Sequence, residues 1–130
     1  MDVILDTCGL LSLVGLTDRR LSAGTLEHIR AAADVYVSAC SMFEIAIKHK
    51  RQGLDLGTFP DAERLWNRAV DEYQLTELPV SHDIFYASVK LPDHHADPFD
   101  RIIVAHACQA GVPVVTFDKA FAAYGVTVLS

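Results

Sequence analysis

Short apolar runs alternate with longer segments of helical periodicity along the whole chain. Strands are predicted at residues 3–5, 35–37, 75–78, 112–115 and 126–129. Helices are predicted at residues 9–15, 22–33, 41–52, 60–74, 82–90, 98–110 and 119–124. Strands that alternate with helices indicate βαβ units, so the pattern predicts an α/β fold with a mainly parallel sheet and helices on both faces.

Capping residues mark several of the predicted helix ends. Ser22 is a predicted N-cap. The run from Ser41 to Glu44 matches the S-x-x-E capping box. Gly53 and Gly111 are predicted to end the helices that precede them, since glycine adopts the left-handed conformation common just after a helix.

The composition indicates a single globular domain. The chain has 130 residues, of which 51% are hydrophobic, and no apolar run reaches the ~18 residues that a membrane span needs. The first residues, MDVILD, carry an acid where a secretion signal carries a base. Three cysteines without C-x-x-C spacing predict reduced thiols, so we expect a cytoplasmic protein with no membrane partner.

The charge balance argues against a protein that binds nucleic acid through bulk charge. Seventeen acidic residues face eleven lysines and arginines, which gives a formal net charge of −6. The densest basic run, KHKR at residues 48–51, ends a predicted helix, where cations offset the helix dipole. Contact with RNA is the alternative interpretation of that run.

Acidic residues recur at one edge of the predicted sheet. In parallel α/β folds, ligands bind outside the carboxyl ends of the strands, where the helices also begin. One acid follows the first strand, a second follows strand 112–115 in T-x-D with Thr116, and the others lie in the first turns of helices. The acids expected at this edge are Asp6, Glu44, Asp97, Asp100 and Asp118.

Each of these acids can also be interpreted as a helix cap. Asp97 fits an N-cap with Pro98 at the first helical position, and Asp100 would then interact favourably with the helix dipole. However, Ser, Thr and Asn cap about equally well, yet acids recur at every position that the fold would gather. Two unit charges about 4 Å apart repel by about 4 kcal/mol at an effective dielectric near 20, so protons or a cation must neutralise such a cluster.

Carboxylate oxygens without a Cys/His set favour Mg²⁺ or Mn²⁺ over zinc. A divalent ion held by carboxylates can activate water and bind a phosphate, which is the chemistry of phosphodiester hydrolysis. The stretch DPFDR at residues 97–101 is therefore predicted to be a helix start whose caps also supply metal ligands.

Four segments follow one another with characteristic order and spacing. They are LDTCGLLSLVG, LSAGTLEHI, VYVSACSMFEIAIKHKRQGLDL and LPDHHADPFDRIIVAHACQAGVPVVTFDKAFAAYGV. In this order they resemble PIN-domain ribonucleases, specifically the VapC-type toxins of bacterial toxin–antitoxin pairs. The resemblance implies one PIN-like domain over residues 1–130, with a three-layer α/β/α architecture around a twisted, mainly parallel sheet of about five strands.

The resemblance also implies a function. It predicts an endoribonuclease that requires Mg²⁺ or Mn²⁺, hydrolyses RNA such as tRNA or rRNA, and inhibits translation and growth as a toxin. The implied products carry 5′-phosphate and 3′-hydroxyl ends. The implied partners are a cognate antitoxin that fills the acidic pocket, the RNA substrate and a second copy of the chain.

Carried over by position, the resemblance assigns roles to individual residues. The metal would be held by Asp6, by Asp97 or Asp100, and by Asp118, with Thr116 beside the last of these. Glu44 or a neighbouring acid would orient the attacking water. Cys8 stands where a histidine is expected after the D-T pair of this subgroup.

The remaining polar candidates have two interpretations each. Arg101 is expected either to pair with one of the two neighbouring acids or to touch a phosphate. For His94 and His95, a solvated loop at the rim of the site is favoured over a catalytic role. His106 lies in an apolar helix and is expected to be a core or interface residue.

Two rival functions use a similar carboxylate pocket. A receiver-like phospho-acceptor module combines acids, Mg²⁺, a threonine and a lysine on a doubly wound sheet. Here no adjacent acid pair follows the first strand, and no Asp ends strand 35–37. The second rival is a PIN-like module that has lost catalysis and only binds a partner.

Overall fold

Five parallel strands form one sheet in the computed structural model, which describes residues 1–130. The strands are β1 (Val3–Leu5), β2 (Val35–Ser38), β3 (Leu75–Leu78), β4 (Val114–Val115) and β5 (Val128–Leu129). The helices are α1 (Thr7–Leu13), α2 (Ala23–Ala31), α3 (Ala39–Lys50), α4 (Ala62–Glu72), α5 (His82–Lys90) and α6 (Pro98–Ala110). A 3-10 helix (Lys119–Tyr124) connects β4 to β5, and no helix has the length and apolarity needed to cross a membrane.

The strand order is β3-β2-β1-β4-β5. The chain therefore moves outward from β1 through β2 to β3, and then returns to place β4 on the other side of β1. This reversal forms a crevice beyond the carboxyl ends of β1 and β4, the usual ligand site of such sheets. The order also differs from the 2-1-3-4-5 order of receiver folds. The fold therefore does not support the receiver-like phospho-acceptor module.

Alternate residues of the central strand face opposite layers. Val3 and Leu5 belong to one buried cluster, whereas Ile4 belongs to the other. The first cluster includes Leu10 of α1, Ile29 of α2 and Trp66 of α4. The second includes Ile84 of α5, Ile103 of α6 and Phe121 of the 3-10 helix. The predicted parallel sheet with helices on both faces is therefore confirmed.

The start of α3 differs from the sequence prediction. β2 extends to Ser38, which is the N-cap of α3 and accepts a hydrogen bond from the Cys40 N–H at 3.2 Å. The predicted capping box is therefore wrong. Ser41 lies inside the helix, where its buried hydroxyl is 2.9 Å from that of Thr7.

Two predicted helix ends have different outcomes. After α3, the left-handed residue is Gln52, with φ of 59°, so the prediction of this role for Gly53 is wrong. Gly53 instead donates its N–H to the carbonyl of Lys48 at 2.9 Å. The prediction for Gly111 is confirmed, because this residue is the C-cap of α6 with φ of 68°.

We predict that Gly9→Ala destabilises the protein. A Cβ at Gly9 would lie 2.6 Å from the carbonyl oxygen of Val115 and 3.1 Å from Oδ1 of Asp6, so α1 would have to move off β4. Overpacking of this kind lowers the free energy of unfolding by about 1–3 kcal/mol. Urea denaturation measures the change.

Gly24→Ala is the matched control for this substitution. Gly24 also lies in a helix, but its added Cβ would meet nothing closer than Ser22 Oγ at 4.0 Å. Alanine is favoured over glycine in helices by up to about 1 kcal/mol, so this variant should be as stable as the wild type or slightly more so. Equal denaturation midpoints for the two variants would contradict the close contact between α1 and β4.

Candidate active site

A pocket of about 430 Å³ opens at the crevice beyond β1 and β4. All five acids expected at this edge line it, namely Asp6, Glu44, Asp97, Asp100 and Asp118. They come from four separate elements, because the carboxyl ends of parallel strands and the starts of the following helices share one side of the sheet. The structure thus brings together every acid that the sequence placed there.

Asp6 is the most deeply buried aspartate of the pocket. It ends β1 and caps α1, and its Oδ1 accepts the Gly9 N–H at 2.6 Å. Burial raises the pKa of Asp6 to about 6, against the lowering effect of hydrogen bonds from Thr116 and Gly9. Glu44 and Asp118 raise this pKa further through charge repulsion. The ionised form of Asp6 is therefore poorly solvated in the folded protein.

Glu44 lies in the wall of the pocket and has partners on both carboxylate oxygens. The Thr7 hydroxyl donates to Oε1 at 2.6 Å, and the Lys48 ammonium donates to Oε2 at 2.5 Å. The hydrogen bond from Lys48 to Glu44 raises the pKa of the lysine. This network ties α1 to α3 through side chains alone.

Asp97 and Asp100 both open α6 but have different surroundings. Asp97 is the N-cap, and its Oδ1 accepts the Phe99 N–H at 2.9 Å. Asp100 points toward Asp118, and a ligand atom from each of these residues and from His95 lies within 4.8 Å of the others. Burial raises the pKa of Asp100 to about 7, with a further contribution from the charge of Asp97.

Asp118 caps the 3-10 helix, with Oδ1 accepting the Ala120 N–H at 2.9 Å. The Asp118 N–H donates to the buried Thr116 hydroxyl at 3.0 Å, so the T-x-D sequence forms a local turn. Burial alone would raise the pKa of Asp118. Hydrogen bonds from Ala120 and His95 outweigh this effect and hold the pKa below its ordinary value.

His95 belongs to the acidic cluster, which the sequence interpretation did not favour. Its Nε2 lies 2.7 Å from Oδ2 of Asp118 and 3.1 Å from Oδ2 of Asp100. The side chain is only 17% exposed, so a solvated loop residue is the wrong description. The sequence feature that could have identified His95 is its position just before the start of α6, at the edge of the sheet where the site was predicted.

Arg101 does not form the expected pair with Asp97 or Asp100. Its buried guanidinium donates to backbone carbonyls in the α5–α6 connection, with distances of 3.0 Å to His95 O and 2.8 Å to Leu91 O. Its only nearby carboxylate is that of the exposed Asp93, at 3.7 Å. Arg101 therefore holds the loop that carries His95 and is not available to touch a phosphate.

The other two histidines named from the sequence lie outside the cluster. His106 is buried in α6 and its Nε2 is 2.9 Å from Ser38 Oγ, which confirms the expected core position. Burial lowers the pKa of His106. His94 packs its ring edge against Tyr124, with 5.1 Å between ring centroids.

Three cations line the acidic pocket: Arg19, Lys48 and Lys119. Of these, only Lys48 was singled out from the sequence, as part of the basic run. Arg19 lies in the α1–α2 connection, with its guanidinium 5.6 Å from the Phe117 ring centroid. Nothing in its local sequence distinguishes Arg19, because its position depends on the path of the connecting loop.

The donor set fits a hard divalent cation. The carboxylates of Asp6, Asp100 and Asp118 supply oxygen ligands of the kind that Mg²⁺ and Mn²⁺ prefer. The pKa values of Asp6 and Asp100 are raised by burial and by neighbouring acids, so a bound cation would remove an electrostatic cost that the protein otherwise bears.

A family model described as PIN domain matches residues 3–126. This match confirms the predicted PIN-like fold. The sequence has no match among curated proteins.

Solved structures share the fold over nearly the full chain. A toxin–antitoxin complex from Klebsiella pneumoniae is 22% identical with a TM-score of 0.66, covering 98% of this chain and 96% of that one. VapBC2 from Rickettsia felis, bound to a DNA fragment from its promoter, is 14% identical with a TM-score of 0.67 and coverages of 98% and 97%. VapC20 from Mycobacterium tuberculosis, a toxin that cleaves the sarcin–ricin loop, is 18% identical with a TM-score of 0.65 and coverages of 96% and 96%.

We predict that the acidic cluster lowers the stability of the metal-free protein as the pH rises. The folded-state pKa values of Asp6 and Asp100, about 6 and about 7, exceed the ordinary 3.8. The stabilisation that these two groups provide is fully present below pH 3.8. It is lost as the pH rises through 6 and 7, because the folded state binds more protons than the unfolded state in this range. Urea denaturation in EDTA at pH 5 and pH 8 measures the effect.

Asp100→Asn isolates this contribution from other titrating groups. The variant should gain stability over the wild type at pH 8 and lose most of that advantage at pH 5, where Asp100 is largely protonated in the folded state. Saturating Mg²⁺ should remove the advantage at pH 8, because the cation stabilises only the carboxylate form. A difference in stability that does not depend on pH would contradict the assignment.

Proposed function

Because the chain belongs to the PIN domain family, we propose that it is a Mg²⁺- or Mn²⁺-dependent endoribonuclease and the toxin of a toxin–antitoxin pair. The observation that carries this proposal is the convergence of five acids in one pocket at the reversal of strand order. A cluster of this kind is unfavourable without a cation, and neutral residues would cap the helices at Asp6, Asp97 and Asp118 about as well.

Asp6, Asp100 and Asp118 are proposed to hold the metal. A divalent cation bound there would lower the pKa of water and stabilise negative charge on a phosphate. Asp97 is proposed to support this site from the helix N-cap, since one of its oxygens is already bonded to the Phe99 N–H. This assignment selects Asp100 over Asp97 as the ligand that α6 contributes.

Glu44 is proposed to orient the attacking water at the edge of the pocket. Its carboxylate is held by Thr7 on one oxygen and Lys48 on the other, so its position is defined before substrate binds. Thr116 is proposed to support the site from β4, because its buried hydroxyl accepts the Asp118 N–H and interacts with Asp6.

RNA is the proposed substrate. Arg19 and Lys119 line the pocket and can bind backbone phosphates beside the acids, whereas Lys48, which also lines it, is paired with Glu44. A structural ribosomal or transfer RNA is favoured, because one neighbour of the same fold is described as a toxin that cleaves the sarcin–ricin loop. The net charge of −6 predicts weak binding that depends strongly on salt.

A cognate antitoxin is the proposed regulator. A second cavity of about 730 Å³ adjoins the acidic pocket and shares Cys8, Arg19, Lys48 and Phe117 with it. Apolar residues such as Leu11, Leu16 and Leu54 also line this cavity. A segment that combines apolar side chains with a basic residue would fill both spaces, and several structural neighbours are complexes with their antitoxins.

A homodimer is also proposed. Phe85, Tyr86 and Val89 project from the outer face of α5 with exposures of 50%, 67% and 73%. Their spacings of three and four residues place Val89 beside both aromatic rings. An apolar stripe of this kind is suited to a second copy of the chain.

Asp6→Asn is expected to abolish RNA cleavage and growth arrest. Loss of the charge should weaken metal binding and lower the cleavage rate by more than about 100-fold, since even residues that only support ligands cost about 10–100-fold. The assay uses purified, antitoxin-free protein with tRNA and rRNA in Mg²⁺ or Mn²⁺, and parallel reactions contain EDTA.

Asp61→Asn provides the matched control. Asp61 caps α4 as Asp6 caps α1, and asparagine caps about as well as aspartate, so both variants should fold. Only the variant at the pocket should lose activity. Cleavage that survives EDTA would refute the carboxylate mechanism. Growth arrest that persists in Asp6→Asn would favour a module that acts by binding alone.

Tyr86→Glu combined with Val89→Glu should convert a dimer to a monomer in sedimentation velocity. Charges on the apolar stripe of α5 would repel across a two-fold interface, because each residue faces the same surface of its partner. Asn67→Glu, on the exposed face of α4, should leave the mass unchanged. A wild-type monomer, or a dimer that survives the double substitution, would contradict the proposed interface.

A further inference from the structure

His95 connects two acids that belong to different parts of the fold. Asp100 lies in the first turn of α6, whereas Asp118 follows β4 and caps the 3-10 helix. The Nε2 atom of His95 is within hydrogen-bond distance of both carboxylates, at 3.1 Å and 2.7 Å. No other side chain bonds to both acids, so the distance between them depends on this contact.

The second ring nitrogen determines what Nε2 can do. The backbone N–H of Asp97 donates to Nδ1 of His95 at 3.2 Å, so the lone pair of Nδ1 is already used. The proton of the neutral ring must then lie on Nε2, which donates to the two acids. A histidine that binds a metal usually has the opposite arrangement, with its other nitrogen donating to a carboxylate or carbonyl.

The backbone and the ring of His95 are both held in place. Nη1 of Arg101 donates to the His95 carbonyl at 3.0 Å and to the Pro92 carbonyl at 3.0 Å. The imidazole edge packs against Phe121, with 5.8 Å between ring centroids and an interplanar angle of 82°. The buried guanidinium of Arg101 thus holds the backbone of the loop, and the Phe121 ring limits rotation of the imidazole.

We propose that His95 is a positioning residue, whose Nε2–H holds the carboxylates of Asp100 and Asp118 at the spacing that a shared cation requires. The inference rests on the proposed function of the acidic pocket. The alternative is that His95 is itself a ligand, because its Nε2 also lies within 4.8 Å of both acids. The hydrogen bond from Asp97 to Nδ1 distinguishes the two roles.

Nitrogen-15 NMR of the histidine rings tests the proton position directly. We expect the neutral ring of His95 to carry its proton on Nε2, both in EDTA and after addition of Mg²⁺, with His95→Gln used to assign the signal. A neutral ring with its proton on Nδ1, or loss of the Nε2 proton on addition of Mg²⁺, would overturn the proposal. This measurement does not depend on RNA cleavage.

Titration calorimetry with Mg²⁺ or Mn²⁺ alone tests the positioning role. His95→Leu removes the donor and should weaken metal binding by about 10–100-fold. His95→Gln keeps an amide N–H that can reach the same acids and should retain most of the affinity. His94→Leu is the matched control, because the neighbouring ring packs on Tyr124 outside the cluster. Unchanged affinity in His95→Leu would overturn the proposal.

The two proposals fail in different ways. If Asp6→Asn loses metal binding and cleavage while His95→Leu retains both, the positioning role is wrong and the nuclease function stands. If the wild type binds neither metal, both the carboxylate site and the positioning of a cation by His95 are wrong.

Discussion

Repulsion among carboxylates at one edge of a parallel sheet is the constraint on which this structure depends. Right-handed βαβ connections bring the end of every strand and the start of every following helix to the same side. Acids at these positions therefore converge whether or not they interact favourably. Burial then raises the pKa values of Asp6 and Asp100, so ionisation of these two side chains opposes folding when no cation is bound. The apolar clusters on the two faces of the sheet must offset that cost.

Helix capping is compatible with the metal binding proposed for the same residues. Asp6, Asp97 and Asp118 each accept a hydrogen bond from a backbone N–H at the start of a helix. The positive end of the helix dipole reduces the cost of the negative charge. The two carboxylate oxygens of Asp118 have different partners, because Oδ1 caps the 3-10 helix while Oδ2 contacts His95. A cap therefore fixes a carboxylate without using all of its acceptor capacity.

Sequence reasoning located the elements and the acids, because both depend on local periodicity and on the order of strands and helices. It was less successful where a side chain had several possible partners. Asp100 and Arg101 are adjacent in a helix, and side chains one position apart do not face each other. A pair between these two residues could have been rejected on that ground, whereas Asp97 and Arg101 are four positions apart and could have paired. The carbonyls that Arg101 binds instead belong to the last turn of α5 and to the following loop, whose path no local pattern specifies.

The start of α3 shows a second kind of limit. Extending β2 by one residue makes Ser38 the cap and moves Ser41 into the helix, where it faces Thr7 across the space between α3 and α1. Both serines are good caps by composition, so the choice depends on the register between β2 and β3, in which Ser38 pairs with Leu78. The pairing of β2 with β3 thus determines where α3 begins, because the local sequence alone fits a cap at either serine.

Net charge was a poor guide to the pocket because electrostatic interactions are local at physiological ionic strength. The Debye length is about 8 Å, so most of the surplus acids are screened from a ligand in the crevice. The charged residues that line this pocket are the five acids together with Arg19, Lys48 and Lys119. Lys48 is already paired with Glu44, which leaves Arg19 and Lys119 as the cations without a carboxylate partner in this wall. Under the proposed function, these two cations, together with a metal ion held by the carboxylates, would let a polyanion bind in this pocket of an acidic protein.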